Sequence, residues 1–81
     1  MKNRVLIDKV KNAVAIQLRI ERSSIEMDTN ILELGADSLD VVELLMCIEE
    51  DYNIEIPDNE AEALDTVNKI VAYLIKREVK Y

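Results

Sequence analysis

Oxygen-bearing side chains stand close together at Asp37-Ser38-Leu39-Asp40, and the only thiol of the chain, Cys47, follows further along the same segment. A serine or cysteine attacks a substrate only when a base takes its proton. The sequence contains no histidine, which removes histidine-based catalytic triads and the usual zinc sites. Asp37 and Asp40 are too weak as bases to deprotonate a hydroxyl near neutral pH. Cys47 has no lysine or arginine nearby to favour a thiolate, and reads as a small packing residue at a helix margin. One cysteine also cannot form an internal disulfide. Ser38 can nevertheless be modified by another enzyme. A phosphate ester there would lie near the positive end of a helix, yet Asp37 and Asp40 would repel it toward solvent. That arrangement suits an attachment point and not a catalytic centre. The plain alternative is that Ser38 only caps the helix.

The element that positions Ser38 is a helix predicted from near Ser38 to near Asp51 or Tyr52. Asp37 is its expected N-cap, with Asp40 three positions on as in a capping box. Gly35, the only glycine, frees the backbone to turn just before it. On a wheel of about 100° per residue with Ser38 at zero, Val41, Leu44, Leu45 and Ile48 fall between about 240° and 340°. That arc is the core face. Leu39, Val42 and Met46 form a separate stripe between about 40° and 100°, flanked by Glu43, Glu50 and Glu49. A helix of a small bundle needs one buried face. The second stripe is either a protein-docking surface rimmed by carboxylates, with methionine as its adaptable residue, or ordinary core tucked under a loop.

The other elements follow from periodicity and caps. Val5, Leu6, Val10, Ala13, Val14 and Leu18 predict a first helix from about Asn3, its expected N-cap, to about Leu18. Residues 19–36 form a long connection, with Ile20, Ile25, Met27, Ile31, Leu32 and Leu34 available to pack it down. Pro57 blocks continuation of the second helix, and Asp58 or Asn59 is expected to cap a short helical turn through Ala61 and Ala63. Asp65 or Thr66 should cap a last helix with the stripe Val67, Ile70, Val71, Leu74 and Ile75. The expected fold is all-α: one domain over residues 1–81, a small antiparallel bundle of three main helices plus one short helix.

Composition sets the remaining bounds. At 81 residues one domain is the most the chain can make, and without Phe or Trp its core must be aliphatic. The net charge of −7 is unevenly spread, with +4 over residues 1–22, −14 over residues 23–65 and +3 over residues 66–81. Residues 23–65 hold no Lys or Arg, so this segment repels nucleic acid and attracts basic protein patches. The apolar run Val5-Leu6-Ile7 ends at Asp8, too short for a signal peptide, and no stretch approaches a membrane span. A reduced, cytoplasmic monomer is expected. No segment has the ligand spacing of a calcium-binding EF-hand loop.

The stretch Leu34-Gly35-Ala36-Asp37-Ser38-Leu39-Asp40 resembles the attachment motif of acyl carrier proteins. The likeness continues through Val42-Glu43-Leu44, Met46 and Ile48-Glu49-Glu50 to Glu55-Ile56-Pro57-Asp58 and Glu60-Ala61-Glu62, and covers nearly the whole chain. It implies a non-enzymatic carrier in type II fatty acid synthesis, or in a polyketide or other specialised acyl pathway. Ser38 would then carry 4′-phosphopantetheine, transferred from coenzyme A by a phosphopantetheinyl transferase (holo-acyl-carrier-protein synthase). The resemblance further implies that Asp37, Leu39, Asp40, Val42, Glu43, Met46, Glu49 and Glu50 face basic partners, with Ile56, Asp58, Glu60 and Ala61 in a secondary contact region. Those partners would be malonyl transacylase, ketosynthases, ketoreductase, dehydratase, enoyl reductase and acyltransferases. Leu44, Leu45, Ile48, Leu64 and Ile70 would line an acyl cavity. The sequence departs from the common pattern in a loop about one residue shorter, in Ile31 where an aromatic is frequent, and in Ala63 where lysine is frequent. Arg19 also stands where glycine is frequent, so the first helix is expected to end without a left-handed cap. An unmodified acidic helical adaptor is the alternative of a different class.

Overall fold

Apolar residues at three- and four-residue spacing wind Lys2–Leu18 into helix α1. The fold comes from a computed structural model that describes residues 2–79, with the side chains of Lys2 and Asn3 outside the description. Because α1 already includes Lys2, Asn3 is a helical residue and not the N-cap. Leu6, Val10 and Val14 are buried, whereas Val5, expected in the core stripe, is exposed. Its wheel position lies on the outer face shared with Ile16, the most exposed large aliphatic side chain described, at 78%.

Arg19 ends α1 in the left-handed region at φ 57°, and the Ile20 N–H donates to the Ala15 carbonyl at 3.1 Å. The expectation of a helix without such a cap is therefore corrected. Arginine adopts the geometry that glycine favours because the hydrogen bond satisfies an otherwise orphaned carbonyl.

The long connection is ordered by local and distant hydrogen bonds. It contains two 3₁₀ turns, Arg22–Ser24 and Ile31–Leu34, the second capped by the Asn30 side chain, which accepts from the Leu32 N–H. Gly35 follows at φ 96°, where a side chain is strained. Across the molecule, the Ile31 N–H donates to the Asp65 carbonyl at 2.8 Å and the Asn68 N–H to the Met27 carbonyl at 2.9 Å. Ile25 and Ile31 are buried, and Ile20, Met27 and Leu34 pack against the core. Leu32 instead stays exposed. Ile31 thus fills its place in the loop without an aromatic ring.

Helix α2 runs Ser38–Tyr52 and buries Leu44, Leu45 and Ile48. It ends at Asn53, φ 54°, a residue type that tolerates the left-handed region. Pro57 precedes the short helix α3, Asp58–Ala61. Asp58 is the first helical residue and not a cap, and no side chain caps α3. Thr66 caps α4, Val67–Lys76, by accepting from the Lys69 N–H. Its Val67, Ile70, Val71 and Leu74 are buried, while Ile75 lies on the exposed side.

The described residues thus form three longer helices and one short one, with α1 against both α2 and α4. There is no strand among them, only one isolated bridge between Asn30 and Thr66. The core is aliphatic, with no polar side chain buried among the described residues.

Candidate functional site

The start of α2 is built by two carboxylates that hold each other's backbone. The Asp40 N–H donates to Asp37 Oδ1 at 2.9 Å, and the Asp37 N–H donates to Asp40 Oδ2 at 3.2 Å. This reciprocal box satisfies two amide groups that the helix end would otherwise leave unpaired. Asp37 therefore does the capping, and the reading of Ser38 as the cap falls. Ser38 is the first helical residue, it is exposed, and no side-chain hydrogen bond occupies its hydroxyl among the described residues. A group attached there meets solvent on one side and a cleft on the other.

That cleft has a volume of about 510 Å³ and is lined by Leu32, Ser38, Val41, Val42, Leu45, Asp58, Ala61, Glu62, Leu64 and Asp65. Of the expected cavity residues, Leu45 and Leu64 line it. Leu44, Ile48 and Ile70 do not; each is about 1% exposed within the closed core. Val41 and Leu45 share the edge of the core face turned to the cleft, whereas Leu44, Ile48 and Ile70 lie in the bundle interior. Ile48 reaches instead a separate groove of about 430 Å³ with Val10, Ala13, Ile16 and Tyr52. Val41 and Leu32 are cleft residues that the sequence reading did not assign.

The second stripe of α2 is at the surface. Leu39 is 61%, Val42 51% and Met46 54% exposed, so these residues do not tuck under the loop. Glu43 and Glu50 are exposed beside them, and Glu43 Oε2 accepts a hydrogen bond from Gln17 Nε2 at 2.9 Å. Cys47 is exposed as well, which overturns its reading as a packing residue. Glu49 is half-buried, and its Oε2 accepts from the Ile56 N–H at 2.8 Å. Through that bond the carboxylate organises the turn after α2. Ile56 is 8% exposed and belongs to the core. Asp58 and Glu60 are exposed, and Ala61 is half-buried.

At the far end of α3, Tyr73 Oη donates to Glu60 Oε1 at 2.5 Å and accepts from Arg77 Nη1 at 2.7 Å. Arg77 Nη1 also donates to the Glu55 carbonyl at 2.9 Å. Burial and the bond to Glu60 push the Tyr73 phenol above its ordinary pKa, against the opposing pull of Arg77. Burial and the charge of Asp51 do the same to Tyr52. Among the described residues, no cluster of acidic, cysteine or histidine side chains is arranged to hold a metal. No described helix is long and apolar enough to cross a membrane.

Residues 8–74 match the family described as phosphopantetheine attachment site. The acyl carrier protein of Clostridium acetobutylicum is 45% identical over 71 residues, which covers 86% of this chain and 92% of that protein. The acyl carrier protein of Campylobacter jejuni subsp. doylei is 50% identical over 68 residues, 83% of this chain and 88% of that protein. Among solved structures, the chain is similar to the HMG-ACPI domain of the CurA module from Lyngbya majuscula. That likeness has a TM-score of 0.80 at 25% identity and covers 88% of this chain and 72% of that one. A free-standing peptidyl carrier protein from an Acinetobacter baumannii secondary metabolic pathway shares the fold, with a TM-score of 0.82 at 20% identity over 94% of this chain and 95% of that one. With a free serine hydroxyl between two capping carboxylates, beside an apolar cleft and an acidic helix, the chain belongs to the acyl carrier proteins, non-enzymatic carriers of acyl groups on covalent 4′-phosphopantetheine.

Proposed function

We propose that Ser38 is the residue that carries the 4′-phosphopantetheine arm. The observation that carries this is the division of labour at the start of α2: Asp37 takes the cap, and Ser38 keeps an exposed hydroxyl without an internal partner. The residues present fit the arm. The hydroxyl supplies the ester oxygen, and Val41, Val42, Leu45 and Leu64 beside it offer apolar surface. Asp37 and Asp40 fix the backbone that presents Ser38, and their negative charge turns an attached phosphate toward solvent. When bound, the arm supplies a terminal thiol that holds acyl groups as thioesters. The chain's own part is to present that thiol and to offer the cleft to what it bears.

The exposed stripe Leu39, Val42 and Met46, with Glu43 and Glu50 beside it, serves as the docking face for basic patches on the transferase and on the acyl-handling enzymes. Asp58 and Glu60 of α3 extend that face. The pathway is type II fatty acid synthesis, which the Asp37-Ser38-Leu39-Asp40 sequence favours by family resemblance. Malonyl transacylase, ketosynthases, ketoreductase, dehydratase, enoyl reductase and acyltransferases are the corresponding partners. The single domain acts as a monomer in the cytoplasm, where coenzyme A is at hand and thiols stay reduced. A specialised pathway is the second reading, favoured by the likeness to carriers from a CurA module and a secondary metabolic pathway.

Intact-mass measurement after incubation with coenzyme A, Mg²⁺ and a phosphopantetheinyl transferase tests the attachment. One arm's mass should appear on the wild-type chain and none on Ser38→Ala. A chain that gains nothing, or a Ser38→Ala variant that still gains it, refutes the assignment. Rates of malonyl loading and extension by fatty acid enzymes, set against those of polyketide and peptide-synthesis enzymes, separate the two pathways.

A further inference from the structure

Helix α1 turns one side outward. Among its described side chains the exposed ones are Arg4, Val5, Lys9, Asn12 and Ile16. On a wheel of about 100° per residue with Arg4 at zero, the other four fall at about 100°, 140°, 80° and 120°. All five thus share one arc, with Val5 and Ile16 side by side and a cation on each flank. Val5 is 47% and Ile16 78% exposed, and along the helix axis they stand roughly 16 Å apart. The face is an aliphatic ridge between basic margins.

The cations of this face are not consumed within the molecule. Asp8, at about 40° on the same wheel, pairs with Arg22. Arg4, Lys9 and Arg19 enter neither of the ion pairs found among the described residues. Three further carboxylates border the face. Asp51 lines a groove with Lys9, Glu43 accepts from Gln17, and Glu21 follows the helix. The other carboxylates of α2 and those of α3 belong to the far part of a body whose longest extent is 30 Å, and charge is screened over about 10 Å at 0.1 M salt.

Cations beside an aliphatic ridge suit the boundary between anionic headgroups and acyl chains. The ridge is convex, so it calls for a soft partner that deforms around it. We propose that the outward face of α1 docks on an anionic lipid bilayer, with Ile16 and Val5 entering the headgroup layer and Arg4, Lys9 and Arg19 meeting lipid phosphates. The proposal goes beyond the reading of Ser38 and does not use it. Ser38 lines the cleft at the opposite end of α2 from Asp51 and Tyr52, which border the groove beside this face. Contact through α1 therefore leaves the serine free. The bordering carboxylates keep the contact weak and reversible, with a partition constant on the order of 10³ M⁻¹, below that of a single myristoyl chain.

Flotation of the unmodified full chain with lipid vesicles tests the docking. Vesicles of phosphatidylglycerol and phosphatidylcholine in about equal parts should carry the chain at about 20 mM salt, and about 200 mM salt should weaken the partition at least fivefold. Ile16→Ser should weaken it roughly five- to tenfold, and Lys9→Gln roughly three- to fivefold. Both side chains are exposed, so the urea midpoints of these variants should stay near that of the wild type. With a headgroup spin label in the vesicles, amide broadening should be strongest over Val5–Ile16 and weak over Leu39–Met46. No flotation at low salt, equal flotation with pure phosphatidylcholine, or an Ile16→Ser variant that binds as the wild type does would overturn the lipid surface. So would retention on immobilised polyglutamate with none on vesicles, which would assign the face to an acidic protein. Ile16→Ser should still gain the arm in the mass experiment, so failure of the attachment and failure of the lipid contact register separately.

Discussion

Arg19, like Glu78 at φ 55°, is a residue whose type suits its backbone poorly. At φ 57° its Cβ crowds the backbone, a cost of about 1 kcal/mol that glycine avoids. Arg19→Gly should therefore stabilise the domain by roughly 0.5–1 kcal/mol, read as a higher urea midpoint at unchanged slope; a lower midpoint would show that the arginine side chain contributes more than its strain costs. At the attachment site, Asp37→Ala should cost about 1 kcal/mol through loss of the cap. The tyrosines add a pH dependence with a definite sign. Both Tyr52 and Tyr73 have raised phenol pKa values in the fold, so the unfolded chain ionises first. Their contribution is fully present below the ordinary value of about 10 and is lost as pH rises through the higher folded values. Urea midpoints at about pH 9 and about pH 11 should differ accordingly, and Tyr73→Phe should narrow the gap.

Helix α2 was the most legible element, since its cap residues, both faces and its end could all be read from residue type and spacing. Thr66 as a cap was legible for the same local reason. The cleft was less so. Leu44, Ile48 and Ile70 are apolar at core spacing, as Leu45 and Leu64 are, and only the position of α3 separates wall from interior. The bond from the Ile56 N–H to Glu49 was not legible, because a wheel shows where a side chain starts and not what the chain beyond the helix does with it. The left-handed cap at Arg19 was hidden because residue type argued against it while a backbone hydrogen bond supplied the reason. For the exposed face of α2, Glu43→Lys should slow association with a basic partner severalfold in stopped-flow mixing at low salt. Met46→Glu should leave the unfolding free energy within about 0.5 kcal/mol of wild type while weakening the complex. Equal losses of stability and binding would remove both residues from the docking face.

Over the whole molecule, carboxylates of residues 23–65 face few compensating cations. Lys69 pairs with Asp65 at 2.9 Å from outside that segment, and Asp8 pairs with Arg22 on the basic side. Self-repulsion of this kind is screened by ions over about 10 Å at 0.1 M salt. Raising salt from low to moderate concentration should therefore raise the melting temperature by several degrees; a flat response in calorimetry would mean the charges are already balanced locally. The same uneven distribution sets basic and acidic segments against each other in the fold. Basic α1 lies against both α2 and α4, the latter leading to Arg77, while α2 and α3 carry carboxylates around Ser38. In the field of a positively charged enzyme such a body feels a torque as well as an attraction. Such steering favours encounters in which the carboxylates around Ser38 meet the positive surface.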